Sequence, residues 1–73
     1  MNKEEFINEL KIAINTDSEL YEDMVLEDLP EWDSLAVMCT ISMFTDSLNI
    51  QMDFNEFKDL KTIKDLMNRA GIQ

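Results

Sequence analysis

The chain predicts an all-α fold, a small four-helix bundle of three main helices and one short helix, with a long loop between helices one and two. Three observations carry this. Apolar residues recur at three- and four-residue spacing in several segments. Three places pair a capping residue with an acid three positions later. No segment alternates apolar and polar residues at period two, so no strand is expected. At 73 residues, 1–73 reads as a single domain.

Asn2 with Glu5 forms the first such capping pair, and Phe6, Leu10, Ala13 and Ile14 then repeat at helical spacing with Ile7 beside them. The pattern fades at Asn15-Thr16-Asp17. Residues 16–32 are acidic, contain the one proline, Pro30, and lack sustained periodicity, so they read as the long loop. Leu20, Val25, Leu26 and Leu29 are placed to pin it to the core, and a short helical turn is expected around Asp17 to Glu22. The second helix starts near Ser34. One apolar stripe runs through Leu35, Met38, Ile41, Thr45 and Leu48, another through Val37, Ile41, Phe44 and Leu48, which predicts a central helix touched from several sides. Asn49 is its stop. Asp53 with Glu56 opens the short helix, carrying Phe54, Phe57 and Leu60. Thr62 with Asp65 opens the last, with Ile63, Leu66, Met67 and Ala70 facing in and Gly71 as a left-handed end.

Composition removes several function classes. There is no histidine, the commonest general base and metal ligand. The single cysteine, Cys39, permits neither an intrachain disulfide nor a cysteine-based zinc site, and it reads as a small apolar filler without basic neighbours to activate it. The net charge of −10 repels phosphate backbones and anionic membranes and favours partners with basic patches. The start, Met1 to Glu5, shows no hydrophobic signal region, and the apolar run Leu35 to Phe44 is too short to span a bilayer, so a cytoplasmic monomer is expected. A calcium loop beginning at Asp17 fails, because its sixth position is Glu22 rather than glycine and its fifth is Tyr21. The acids elsewhere read as a solvated surface, since a bundle this small forms no enzyme pocket, and no metal site is expected.

The most informative stretch is "LPEWDSLAVMCTI", Leu29 to Ile41, where an acidic loop delivers Asp33-Ser34-Leu35 to an apolar helix. Either Ser34 or Asp33 can be the N-cap. Asp33 is preferred, because aspartate caps as well as serine and its charge suits the positive end of the helix dipole. Trp32 would then stand before the cap and pack on Val37 as a hydrophobic staple. With Asp33 capping, the Ser34 hydroxyl is free at the rim, where an anion attached to it is favoured.

This chain resembles the phosphopantetheine-bearing acyl carrier protein family. The resemblance rests on Asp33-Ser34-Leu35 as the attachment motif, on the size and acidity, on the long loop before the motif, and on "FNEFKDLKTIKDLMNRAG" as the closing pair of helices. It implies a non-enzymatic four-helix carrier whose Ser34 receives phosphopantetheine from coenzyme A through a separate phosphopantetheinyl transferase that uses a metal ion. The arm's thiol then carries an acyl group as a thioester, in biosynthesis of fatty acid or lipid type. It also implies that Asp33 engages the transferase, and that Leu35 and Met38 meet acyl-loading and acyl-transferring enzymes beside the arm. Met24, Met38, Met43, Met52 and Met67 would supply pliable packing for an acyl chain, though each alone reads as core filling. Family members of bulk fatty-acid synthesis carry acids along the helix after the motif. Here Asp46 is the only acid there after Asp33, so a specialised pathway is expected. A carrier of activated amino acids or peptides is the alternative inside the family. Outside it stands an acidic helical adaptor in which Ser34 merely caps or is a phosphorylation site.

Overall fold

A computed structural model describes residues 1–72, so the span 1–73 read as one domain includes Gln73, which lies outside the described residues. Three α-helices, α1 (Lys3–Ile14), α2 (Ser34–Leu48) and α3 (Ile63–Arg69), are joined by a long loop and by a segment holding the short fourth helix. That helix, Phe54–Lys58, is of the tighter 3-10 form. No strand occurs among the described residues, only one isolated antiparallel bridge between Val25 and Thr62.

The helix ends form for local reasons. Asn2, Asp53 and Thr62 each accept a backbone N–H inside the element they open, and Glu5, Glu56 and Asp65 each bond back to the cap's own N–H. At the other ends of the three α-helices the chain turns left-handed, at Asn15 and Asn49 (φ 56° at both) and at Gly71 (φ 77°). After α3 the Gly71 N–H donates to the Asn68 carbonyl and the Ile72 N–H to the Met67 carbonyl, while the Ile72 side chain is buried. This is the Schellman ending that glycine at this position makes cheap.

Phe6, Leu10 and Ile14 line the buried face of α1. Phe6 meets Phe44 of α2 edge to face, with ring centroids 5.9 Å apart, and such a contact adds about 0.5–1.5 kcal/mol to the burial itself. Ile63, Leu66 and Met67 of α3 close the same core. Thr40 is a fully buried polar residue on α2, and its hydroxyl donates to the Ala36 carbonyl at 2.8 Å, so that group is not left unpaired.

Two sequence expectations are corrected. The helical turn of the long loop lies at Leu26–Asp28, not around Asp17 to Glu22. It is fixed from outside: the Leu26 N–H donates to the Lys61 carbonyl at 2.8 Å, the Ile63 N–H to Met24 and the Lys64 N–H to Glu22. Leu20, Leu26 and Leu29 do pin the loop, but Val25 is exposed and contributes through its backbone. Secondly, α2 buries Ala36, Val37, Thr40, Met43 and Phe44, and so the stripe through Leu35, Met38 and Thr45 faces outward, with Ile41 and Leu48 half-buried at the boundary. The side of α2 chosen is the one that meets α1. The Trp32 ring lies beside that of Phe57, with centroids 5.9 Å apart.

Charge pairs are few and superficial. Lys3 meets Glu22 at 2.8 Å, and the Lys3 ammonium holds the Glu22 carboxyl below its ordinary range. Arg69 meets Glu56 at 2.8 Å and lowers its pKa in the same way, aided by the Asp53 N–H. Asp65 is lowered by the Lys61 N–H and then the Thr62 N–H, which donate to the same oxygen.

Candidate functional site

The site is built at the start of α2. Asp33 is extended (φ −137°, ψ −172°) and its Oδ1 accepts the Ala36 N–H at 2.8 Å, while its carbonyl accepts the Val37 N–H at 3.0 Å. Asp33 is therefore the N-cap and Ser34 the first helical residue. Ser34 is exposed, and its hydroxyl has no hydrogen-bond partner among the described residues. The N–H groups of Ser34 and Leu35 come next to it. No carbonyl inside the helix can reach donors in this first turn, so they remain available at the positive end of the dipole.

The long loop sets where this start points. At its entrance the Thr16 hydroxyl donates to Glu31 Oε2 at 2.9 Å, and Thr16 Oγ1 accepts the Ser18 N–H at 3.1 Å. That clasp joins the end of α1 to a residue three places before Ser34, so the loop is closed at its neck. Glu31 Oε1 is buried without a partner among the described residues. Leu29 is buried in the core, the Trp32 N–H donates to its carbonyl at 3.0 Å, and the Trp32 ring lies against Phe57. Both sides of the loop's exit are thus anchored, which gives Ser34 a rigid base.

Around the hydroxyl, Asp33, Leu35 and Met38 all reach the surface. Leu35 is 67% exposed and Met38 58%, unusual values for large apolar side chains on a helix whose other face is sealed. A groove of about 430 Å³ runs between α1 and α2 beside them, lined by Ile12, Ala13, Leu35, Ala36 and Cys39 with the carboxylates Glu31 and Asp33. Cys39 is half-buried and unpaired. Sequence reasoning missed Ile12, Thr16 and Glu31. For Ile12 the signal was present: it falls off the Phe6, Leu10, Ile14 stripe, and it is 74% exposed. The Thr16 to Glu31 clasp spans fifteen positions and has no local signature.

Chemically, the arrangement offers a nucleophilic oxygen without a base. Histidine is absent from the chain, and the adjacent carboxylate is committed to the Ala36 N–H. No group of three potential metal ligands occurs among the described residues, and no helix there is long and apolar enough to cross a membrane. The site can hold a group on Ser34 and favour a negative charge beside it.

Compared with known proteins, the chain matches no family model, and no curated protein matches it. Among solved structures it is similar to one described as "a putative acyl carrier protein" from Mycobacterium tuberculosis, at 28% identity with 93% of each chain covered and a TM-score of 0.76. The fold is that of an acyl carrier protein, an all-helical bundle with the long loop leading into the second helix.

Proposed function

We propose that this chain is an acyl carrier protein, a single non-catalytic domain that carries an acyl group as a thioester on a phosphopantetheine arm esterified to Ser34. The observation that supports it best is the division of labour at the α2 start: Asp33 takes the capping bond, and Ser34 stands exposed one residue later. The residues fit the arm. An ester phosphate on Ser34 Oγ lies beside the Ser34 and Leu35 N–H groups and the helix dipole, which favour its charge. When bound, the group supplies a terminal thiol on which the cargo is held.

The chain's own residues position and present. Asp33 fixes the first turn and offers its exposed edge to the transferase. Leu35 and Met38 give partner enzymes an apolar footing next to the arm, and the net charge of −10 speeds encounter with basic partners without tight binding. Because no base is within the site, the separate transferase, with its metal ion, would remove the Ser34 proton; Ser34 Oγ then takes the phosphopantetheine from coenzyme A as the pyrophosphate bond breaks and adenosine 3′,5′-bisphosphate leaves. A cytoplasmic monomer follows from that reading. Asp46 is the only acid on α2 after its cap, which supports service in a specialised pathway of lipid or related acyl chemistry over bulk fatty-acid synthesis.

Intact mass after incubation with coenzyme A and a broad-specificity phosphopantetheinyl transferase tests the reading. Wild type gains one arm and Ser34→Ala gains none. An unchanged wild-type mass, with a control carrier modified in the same tube, overturns it in favour of an adaptor. Loading the product with acyl and aminoacyl donors then separates the two kinds of cargo.

A further inference from the structure

The α1–α2 groove carries an inference that deepens the carrier reading by naming a partner surface. Its walls are tall and exposed, Ile12 from α1 and Leu35 from α2, while its floor is made of small side chains, Ala13, Ala36 and Cys39. Met38 continues the apolar surface one turn along α2 and is also exposed. Small residues between tall ones form a hole into which a side chain of another element can insert, as in helix packing. Most large apolar side chains on α1 point inward, and Ile12 at 74% exposure stands out against that pattern.

The charges around the groove choose its occupant. Glu31 and Asp33 line it and no cation does. A second copy of this chain would bring carboxylates against carboxylates, with ten excess negative charges on each side. A partner helix with an apolar face flanked by lysine or arginine meets both the shape and the sign. We propose that a basic amphipathic helix of a partner protein docks across α1 and α2 in this groove, with Ile12 as an anchor alongside Leu35 and Met38. The partner surface of Ser34 thus extends onto α1 and is not confined to the helix that bears the serine.

The probe is a synthetic amphipathic helical peptide of leucine and lysine, titrated into isotopically labelled full chain and followed by amide chemical shifts. The expected shifts centre on residues around Ile12, Leu35 and Cys39. Ile12→Gln, an exposed change that keeps the charge, weakens binding about tenfold, as loss of an apolar anchor does. Phe54→Gln, at another exposed apolar residue, leaves the affinity unchanged. Equal weakening by both variants, or shifts spread over the acidic surface, overturns the proposal. So does a dimer in sedimentation that Ile12→Gln abolishes, since the occupant is then a second copy. Loss of peptide binding on arm attachment, with the same amides shifted by the arm alone, assigns the groove to the arm and also overturns it. Ser34→Ala still binds the peptide, so failure of arm attachment and failure of this docking surface are read separately.

Discussion

Two kinds of side-chain-capped helix start occur among the described residues. Those at Asn2, Asp53 and Thr62 are closed boxes, where the cap and an acid three residues on satisfy each other's backbone N–H. The start of α2 has the cap alone: Asp33 accepts the Ala36 N–H, and nothing returns the bond. The reason lies in packing. The position that would hold the returning acid is Ala36, which is 4% exposed and packed in the core. A carboxylate there would have to be buried, so the longest helix forgoes its box. The two kinds differ at the cap's own N–H, which the boxes satisfy and which receives no returning acid at Asp33. The start of α2 is the one that bears an exposed serine at its first position, beside amides that no carbonyl inside the helix reaches.

The sharpest way to break this comparison is Ala36→Glu, which completes the box on paper. Capping rules alone give a small gain in stability. The packing account gives a loss of about 1–3 kcal/mol from overfilling the α1–α2 contact, read as a lower urea midpoint, and a raised midpoint would refute it. Next in size is Asp33→Ala, which removes the only side-chain cap of α2 and costs about 1 kcal/mol, a fall in Tm of roughly 4–8 °C for a domain of this size. Asp33→Asn keeps an accepting oxygen and costs much less. If the two variants melt alike, the Asp33 to Ala36 bond contributes nothing.

The smallest effect concerns the closed boxes. Asp65 has its pKa lowered below its ordinary 3.8, first by the Lys61 N–H. Its folded carboxylate therefore contributes stability that is complete above the unfolded value and lost as pH falls through the folded one. The stability advantage of wild type over Asp65→Asn should hold above about pH 5 and shrink as the pH falls below it to about pH 3. An advantage that stays constant over that range would show that the charge is not what the box uses.

The parts legible in the sequence are those decided within a turn or two of chain. Asn2 with Glu5, Asp53 with Glu56, Thr62 with Asp65, Asp33 as cap of α2, and the stops at Asn49 and Gly71 all rest on contacts between near neighbours, and the structure has each of them. Contacts between distant segments were not legible. The helical turn at Leu26–Asp28 is set by backbone bonds to the residues that open α3, more than thirty positions away. Its leucines carry no period that would locate it. On α2 two apolar stripes overlap, and only the approach of α1 decides that Ala36, Thr40 and Met43 go in while Leu35 and Met38 stay out. The tripeptide at residues 33–35 could be read from sequence; the Thr16 to Glu31 clasp that closes the loop beneath it, and the groove edged by Ile12, required the fold.

The central claim is that the exposed hydroxyl at the first position of α2, and no other hydroxyl, receives the arm. Ser18, Ser42 and Ser47 serve as internal competitors, all exposed like Ser34 but none at the first position of a capped helix. Fragment mass mapping after treatment with coenzyme A and transferase tests it most directly. The account predicts the added mass on the peptide containing Ser34 and on no other. Modification of any other serine, or of several equally, would contradict it.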